Sequence, residues 1–208
     1  MELKGWLSRS PIVAILRGVK PDEVEVIVEV LSDNGILVVE VPLNSPQPFD
    51  SIERIARRFG ERMLVGAGTV MSTSDVQRID AVGGRLIVTP HADVDVTAQA
   101  KASGLFAVPG FFTPTEAFSL LKAGADALKL FPAEGASPQV LSALRAVLPP
   151  QTAVLAVGGV TPATLAPWHR AGAAGYGIGS SIYKPGDKAG DVRTKAKALI
   201  AALADAKA

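Results

Sequence analysis

The sequence predicts an α/β protein in which eight parallel strands alternate with helices and close into a (β/α)8 TIM barrel. Three observations support this fold class: short apolar, β-branched runs recur along the chain, a helix-like segment follows each run, and the units repeat about every 25 residues. A chain of 208 residues lies at the lower end of the size range for such barrels. An open doubly wound sheet is the alternative, but it usually carries a glycine-rich loop after the first strand, where this chain has Leu16-Arg17-Gly18.

Eight short apolar runs are predicted as strands. Segments of helix length separate them, and because a crossover of that length does not form a hairpin, neighbouring strands are expected to run parallel. The predicted strands span residues 12–16, 37–41, 64–69, 86–89, 105–108, 127–131, 153–157 and 176–179.

Helix start signals follow the strands. Lys20-Pro21-Asp22-Glu23 places proline at the first helical position, Thr113-Pro114-Thr115-Glu116 has the pattern of a capping box, and Ser137-Pro138 and Thr161-Pro162 combine a capping hydroxyl with proline. The last helix is predicted over about residues 189–204. Residues 1–208 are therefore predicted to form a single barrel domain with a short N-terminal helix. Glycines are expected to end several helices: Gly35, Gly60, Gly83, Gly104, Gly124 and Gly172.

Composition excludes several classes of function. Lysine and arginine number 21 against 20 acidic residues, and no long run of like charge occurs, so neither a nucleic acid nor an anionic membrane is an expected partner. The absence of cysteine excludes disulfides, a thiolate nucleophile and cysteine-ligated zinc. The N-terminal segment MELKGWLSRSP lacks the features of a signal peptide, and no apolar run approaches the roughly 20 residues that span a bilayer, so a cytoplasmic, soluble protein is expected.

Charged residues are predicted to point into the barrel from three strands. In the strand at 127–131, Leu128 and Leu130 suit the helix layer, which leaves Lys129 facing the lumen. The same alternation turns Glu40 and Arg17 inward on their own strands. Because an isolated buried charge is heavily penalised, three such groups at one site indicate chemistry on a charged substrate. A purely structural network of the same three ions is the alternative.

Other candidate residues follow the carboxyl ends of the strands, where barrel enzymes carry their chemistry. Thr69 closes the third strand and Pro90 follows the fourth, while Phe131 is expected to wall a pocket beside Lys129. Glycine-rich turns with exposed backbone N–H groups follow the seventh and eighth strands and are typical of a phosphate site. The turns contain Val157, Gly158, Gly159, Gly179, Ser180 and Ser181.

Lys129 is the candidate nucleophile. Burial lowers the pKa of an amine, and a neutral lysine attacks a ketone to form a Schiff base that allows a nearby carbon–carbon bond to break. Glu40 is the carboxylate placed to move the protons, and the guanidinium of Arg17 suits a carboxylate group. The predicted substrate is a small sugar acid with a ketone near one end and a phosphate at the other. No metal site is predicted, because His91, near Asp93, and His169 are expected to be solvated.

Seven segments together resemble the KDPG/KHG aldolase family, in order and over nearly the whole chain. The resemblance implies a class I, metal-independent, trimeric (β/α)8 aldolase without a cofactor that cleaves 2-keto-3-deoxy-6-phospho sugar acids to pyruvate and glyceraldehyde 3-phosphate. The segments are Ile15-Leu16-Arg17-Gly18, Val39-Glu40-Val41-Pro42-Leu43-Asn44-Ser45-Pro46, Gly66-Ala67-Gly68-Thr69-Val70, Val88-Thr89-Pro90, Val108-Pro109-Gly110, Leu128-Lys129-Leu130-Phe131-Pro132 and Val157-Gly158-Gly159-Val160.

The same resemblance implies a role for each candidate residue. Lys129 corresponds to the Schiff-base lysine and Glu40 to its proton shuttle. The pyruvate-end pocket corresponds to Arg17, Thr69, Pro90 and Phe131, and the phosphate site to Gly158, Gly159 and Ser180, with Gly179 beside it.

Two positions separate the branches of the family. The gluconate branch typically has an arginine a few residues after the glutamate and a threonine before the paired glycines, where this chain has Asn44 and Val157. Both resemble the 2-keto-3-deoxy-6-phosphogalactonate branch, whereas Ala133-Glu134-Gly135 resembles the gluconate branch. Aldolases of the gluconate epimer or of both epimers remain alternatives, followed by a non-covalent phosphate-binding epimerase or decarboxylase and a noncatalytic sugar-phosphate sensor.

Overall fold

A computed structural model describes residues 2–207, which form a parallel sheet of nine strand segments alternating with helices. Along the sheet the strands are ordered β5-β4-β3-β2-β1-β9-β8-β7-β6. The segments are β1 (Ile12–Ile15), β2 (Val38–Pro42), β3 (Leu64–Gly68), β4 (Leu86–Val88), β5 (Phe106–Val108), β6 (Gly110–Phe111), β7 (Leu128–Leu130), β8 (Val154–Val157) and β9 (Gly175–Ile178).

The sheet closes on itself because its two end segments are one stretch of chain. Only Pro109 separates β5, which pairs with β4, from β6, which pairs with β7. Proline has no N–H to donate, but its carbonyl accepts a hydrogen bond of 2.9 Å from the N–H of Lys129. The predicted (β/α)8 barrel is thus confirmed, with its fifth strand divided into two segments.

The helices occupy the predicted intervals, but two begin later than predicted. Thr113 and Glu116 form the expected capping box. Pro21 and Pro162 instead lie in turns that precede α2 and α8, where i→i+3 bonds at Lys20 and Thr161 make the chain tighter than an α-helix. The helices are α1 (Leu3–Arg9), α2 (Val24–Asp33), α3 (Pro48–Phe59), α4 (Thr73–Ala81), α5 (Val94–Ala102), α6 (Pro114–Lys122), α7 (Pro138–Arg145), α8 (Leu165–Arg170) and α9 (Ala189–Lys207), with a 3-10 turn at Ala133–Gly135.

Alternation along the strands creates two apolar cores. Side chains such as Leu128 and Leu130 pack between strands and helices, whereas Leu155 and its counterparts on other strands fill the lumen. Helix α1 contributes Leu7 to the lumen core, and Leu7 lies beside Gly175 at the amino-terminal end of β9. Helix α1 therefore covers the end of the barrel opposite the predicted site. Within residues 2–207, no helix has the length and apolar character needed to cross a lipid bilayer.

Candidate active site

Lys129 and Glu40 face each other from opposite walls of the barrel. Lys129 lies on β7 and Glu40 on β2, and these strands are four positions apart in either direction around the closed sheet. Both residues line the same cavity in the lumen, and their exposed fractions are only 6% and 2%. The inward orientation predicted from side-chain alternation is confirmed for both.

The surroundings of Lys129 are apolar. Val108 and Leu155 line the lumen around it, and its Nζ lies 4.5 Å from the centroid of the Phe131 ring. Burial lowers the pKa of the Lys129 ammonium; the charge of Arg17 lowers it further, and the charge of Glu40 opposes the shift. The arrangement therefore increases the share of neutral amine, which is the nucleophilic form.

The Glu40 side chain is buried on β2, with its carboxylate against Gly68 of the neighbouring strand β3. Burial raises the pKa of its carboxyl group to about 7, and the charges of Lys129 and Arg17 limit the rise. Its Oε2 atom is enclosed and has no hydrogen-bond partner, and neither Glu40 nor Lys129 takes part in the ion pairs formed within residues 2–207. A carboxyl group with this pKa can both accept and donate a proton near neutral pH.

Gly68 makes room for that carboxylate. A Cβ atom at Gly68 would lie 2.0 Å from Oε2 of Glu40, so any larger residue would displace the carboxylate. Gly68 is not among the residues that the sequence predicts for the site. A glycine inside a strand is a signal of close approach by another group, and this signal could have identified it.

Arg17 lies at the carboxyl end of β1, where its side chain is exposed at the mouth of the barrel. Its Nη1 donates a hydrogen bond of 2.8 Å to Oδ1 of Asn44, a residue outside the predicted set. The charge of Arg17 acts on the pKa of both Lys129 and Glu40. The guanidinium is therefore electrostatically part of the site although it is not buried.

A second cavity of about 230 Å³ opens at the carboxyl ends of β1, β7, β8 and β9. Val157 lines both this cavity and the lumen, and so connects the two. The cavity brings together seven of the residues predicted for the site: Arg17, Phe131, Val157, Gly158, Gly159, Gly179 and Ser180.

Backbone N–H groups line one side of this cavity. Gly158 and Gly159 have φ values of 105° and 67°, a conformation that favours glycine. Within residues 2–207, no hydrogen bond uses the N–H groups of Gly158, Gly159, Ser180 or Ser181. Free N–H groups of this kind suit an anion such as phosphate.

Thr69 and Pro90 lie at the same end of the barrel but line neither cavity. Thr69 is half-buried after β3 and has a φ of 55°, which is uncommon for threonine. Pro90 packs closely on Gly110, where a Cβ atom would lie 2.7 Å from its carbonyl carbon. No hydrogen bond or ion pair within the described residues links either of them to Lys129.

Glu134 is a cavity residue that the predicted set did not include. It lies on the cavity wall with Gly159, where a Cβ atom would come 2.9 Å from its Oε2 atom. Thr161 also lines this cavity, as does Ser181 of the predicted glycine-rich turn. Glu134 and Thr161 follow strands just as the predicted residues do, so their spacing alone does not distinguish them from ordinary loop residues.

The two histidines take part in local contacts away from Lys129. Nε2 of His91 lies 3.6 Å from Oδ2 of Asp93, whose other oxygen caps α5, and Nδ1 of His169 lies 3.1 Å from the hydroxyl of Tyr176. In the part of the chain that the structure describes, no three His, Cys, Asp or Glu residues cluster so as to hold a metal ion.

Comparison with known proteins identifies the family. A family model described as KDPG and KHG aldolase matches residues 3–197. The chain belongs to this aldolase family. Its members are lyases, and the family resemblance noted in the sequence is thereby confirmed.

Individual members of the family match almost the full length of the chain. The "Probable 2-dehydro-3-deoxy-6-phosphogalactonate aldolase" of Rhizobium meliloti (strain 1021) is 47% identical over 92% of this chain and 91% of its own length. The 2-dehydro-3-deoxy-6-phosphogalactonate aldolase of Escherichia coli (strain K12) is 45% identical over 97% of this chain and 98% of its own length. A solved structure described as "Native KDPGal structure" has a TM-score of 0.93 at 45% identity and covers 95% of this chain and 96% of that one. Proteins named KHG/KDPG aldolase are more distant, at 27% identity over 77% of this chain.

Replacing Gly68 with alanine is expected to displace the Glu40 carboxylate without unfolding the protein, because the colliding atoms are at the tip of a flexible side chain. Turnover should fall about 100-fold or more, the usual contribution of a positioned proton-transfer group. Gly190→Ala is the matched control, since a Cβ atom there meets nothing within 4 Å. Steady-state kinetics and circular dichroism of both variants test this, and an unimpaired Gly68→Ala enzyme would contradict it.

Glu40 should make stability depend on pH. Its folded pKa of about 7 lies above the ordinary value of 4.5 for a glutamate, so between these values the folded state binds more protons, and stability is lost as pH rises through that window. Glu40→Gln removes this loss, so its stability relative to wild type should be greater at pH 8 than at pH 4.5. Urea denaturation at both pH values measures the difference; a difference that does not change with pH would show that Glu40 is not the titrating group.

Proposed function

We propose that this chain is a class I, Schiff-base aldolase that reversibly cleaves 2-keto-3-deoxy-6-phosphogalactonate to pyruvate and D-glyceraldehyde 3-phosphate. The observation that carries the proposal is the buried Lys129 amine opposite the buried Glu40 carboxyl group in an apolar lumen. This pairing supplies a nucleophile and an acid–base group at one place.

In the proposed reaction the neutral amine of Lys129 attacks the C2 ketone of the substrate. The carbinolamine loses water and becomes an iminium ion, which withdraws electrons from the C3–C4 bond. Glu40 accepts the proton of the C4 hydroxyl as this bond breaks, which releases glyceraldehyde 3-phosphate and leaves an enamine. Glu40 then returns the proton to C3, and hydrolysis of the resulting iminium ion releases pyruvate and restores Lys129.

The remaining predicted residues are assigned to the two charged ends of the substrate. Arg17 binds the carboxylate, and Phe131, beside Lys129, lines the pocket for the pyruvate end. Thr69 and Pro90 are assigned to the same end of the substrate by the family resemblance, although they line neither cavity. The phosphate is proposed to bind at the free N–H groups of the two glycine-rich turns, with Gly158, Gly159, Gly179 and Ser180 as its contacts. No metal ion and no cofactor is needed for this chemistry.

The choice of the galactonate epimer rests on Val157 and on the relatives. Val157 is buried at the junction of the two cavities, where an apolar side chain offers no hydrogen bond to a substrate hydroxyl. The more similar relatives carry the galactonate name, whereas those named for the gluconate epimer are more distant. Glu134, within the gluconate-like Ala133-Glu134-Gly135, keeps an aldolase of the gluconate epimer as the second candidate.

A homotrimer and a role in galactonate catabolism stay predictions based on the family resemblance. The cytoplasmic location and the single-domain organisation stay predictions based on the sequence itself. Large apolar side chains exposed near the carboxyl end of the barrel support self-association, among them Met71 and Phe112. Sedimentation equilibrium would distinguish a trimer from a monomer.

Borohydride reduction in the presence of pyruvate should attach a stable pyruvate-derived mass to Lys129. Lys129→Arg keeps the charge but loses the nucleophile, so it should show neither the adduct nor turnover. Lys122→Arg, on the exposed end of α6, is the matched control and should behave as wild type. Mass spectrometry of the labelled peptide locates the adduct; turnover by Lys129→Arg would favour a non-covalent mechanism.

Val157→Thr should shift preference toward the gluconate epimer, because the new hydroxyl can bind the C4 hydroxyl of that substrate. One such hydrogen bond is worth about 1 kcal/mol, so the ratio of kcat/KM values should change about 5-fold. Kinetics with both phosphorylated epimers measure this ratio, and an unchanged ratio would remove Val157 from the specificity argument.

A further inference from the structure

Two consecutive residues after β2 hold two consecutive residues after β1. Oδ1 of Asn44 accepts a hydrogen bond of 2.8 Å from Nη1 of Arg17, and Oγ of Ser45 accepts one of 3.0 Å from the N–H of Gly18. Strands β1 and β2 are neighbours in the barrel, so these bonds join adjacent loops at its mouth. One bond fixes a side chain and the other fixes the backbone beside it.

The backbone next to Arg17 is held firmly. Ser45 is buried, and Gly18 has a φ of 81° and lies against the ring of Pro185, where a Cβ atom would come 2.7 Å from Cγ. The conformational freedom that remains at this point belongs to the long side chain of Arg17. Ordering such a side chain costs conformational entropy, and a fixed partner reduces that cost before the ligand arrives.

Within residues 2–207, the Arg17 guanidinium donates its hydrogen bond to Asn44. The side-chain amide of Asn44 carries no charge. Arg58 in contrast pairs with the carboxylates of Glu25 and Glu29, which cancel its charge. A neutral acceptor fixes the orientation of the Arg17 fork and leaves its charge available. Arginine has five N–H donors, so one bond to Asn44 leaves a pair free for a carboxylate.

We propose that Asn44 is a positioning residue that orients Arg17 toward the substrate carboxylate, with Ser45 anchoring the backbone beside it. The inference rests on the proposed function, because the carboxylate belongs to the pyruvate end of a substrate held on Lys129. It assigns Asn44 a role in binding that end and none in the breaking of the carbon–carbon bond.

The test compares two ketones that differ in the carboxylate. Pyruvate and acetone both form a Schiff base with an amine, but only pyruvate has a group for Arg17 to bind. Borohydride trapping at Lys129 is measured against ketone concentration in wild type, Asn44→Ala, Arg17→Ala and Gln151→Ala. Gln151 is an exposed residue in the turn before β8, at the amino-terminal end of the barrel, and its variant is the control.

Asn44→Ala should raise the half-saturating concentration of pyruvate about 10-fold, the size of effect typical for one hydrogen bond to a charged group. The maximal extent of trapping and the acetone curve should stay unchanged, and Gln151→Ala should match wild type throughout. Because Asn44 acts through Arg17, the double variant Arg17→Ala/Asn44→Ala should be no weaker for pyruvate than Arg17→Ala alone.

Asn44→Asp separates orientation from charge. The aspartate keeps an acceptor for Arg17 but cancels the charge, so the half-saturating concentration of pyruvate should stay high. Because the charge of Arg17 also acts on the pKa of Lys129, the acetone curve can move, but its change should be smaller than the loss for pyruvate. Wild-type pyruvate binding in Asn44→Asp would overturn the requirement for a neutral partner.

The failure of this inference and the failure of the proposed function give different results. Absence of a pyruvate adduct in wild type would refute the Schiff-base function itself. An adduct in wild type, together with an unchanged pyruvate curve in Asn44→Ala or equal losses for pyruvate and acetone, would refute the positioning role alone.

Discussion

The site depends on keeping an ammonium group and a carboxyl group inside an apolar cylinder. Taking either group out of water is costly, and the mutual attraction of Lys129 and Glu40 offsets only part of that cost because they stand on opposite walls without forming an ion pair. The result is a lysine shifted toward its neutral form and a carboxyl group that titrates near pH 7. Both shifts follow from burial, and burial in turn requires the closed ring of strands.

The segment that closes the barrel also contacts Lys129. Pro109 divides the fifth strand, so that one half pairs with β4 and the other with β7, and the carbonyl of Pro109 accepts the N–H of Lys129 itself. The residue that breaks the strand is thus bonded to the residue that carries the proposed chemistry. Glycines make space inside the ring: Gly68 admits the carboxylate of Glu40, and a Cβ atom at Gly177 would lie 2.7 Å from Val157.

The rim is built to accept negative charge without burying many cations. Arg17 is the one lysine or arginine among the described residues that line the second cavity, and backbone N–H groups without hydrogen-bond partners are further donors there. Such groups are fixed by the fold and need no ordering when a ligand binds. Arg17 in contrast has a long side chain, and the neutral amide of Asn44 holds it by a hydrogen bond. The carboxylate of Glu134 lies on the same cavity wall, beside Gly159.

Side-chain alternation in the sequence predicts which residues face inward and which end of each strand they occupy, because alternation along a strand is a local property. The structure confirms the predicted faces of Leu128, Lys129 and Leu130, and it confirms the capping box of Thr113 and Glu116. Helices α2 and α8 begin later than the sequence predicts from Pro21 and Pro162. The sequence does not distinguish the two cases, since a proline favours both the first turn of a helix and a tight turn before it. The sequence predicts Glu40 across the lumen from Lys129, but the pKa of about 7 for Glu40 and the hydrogen bond between Asn44 and Arg17 arise only in the folded barrel. These features depend on which strands pair and where the sheet closes, and such contacts between distant residues leave no local pattern in the sequence.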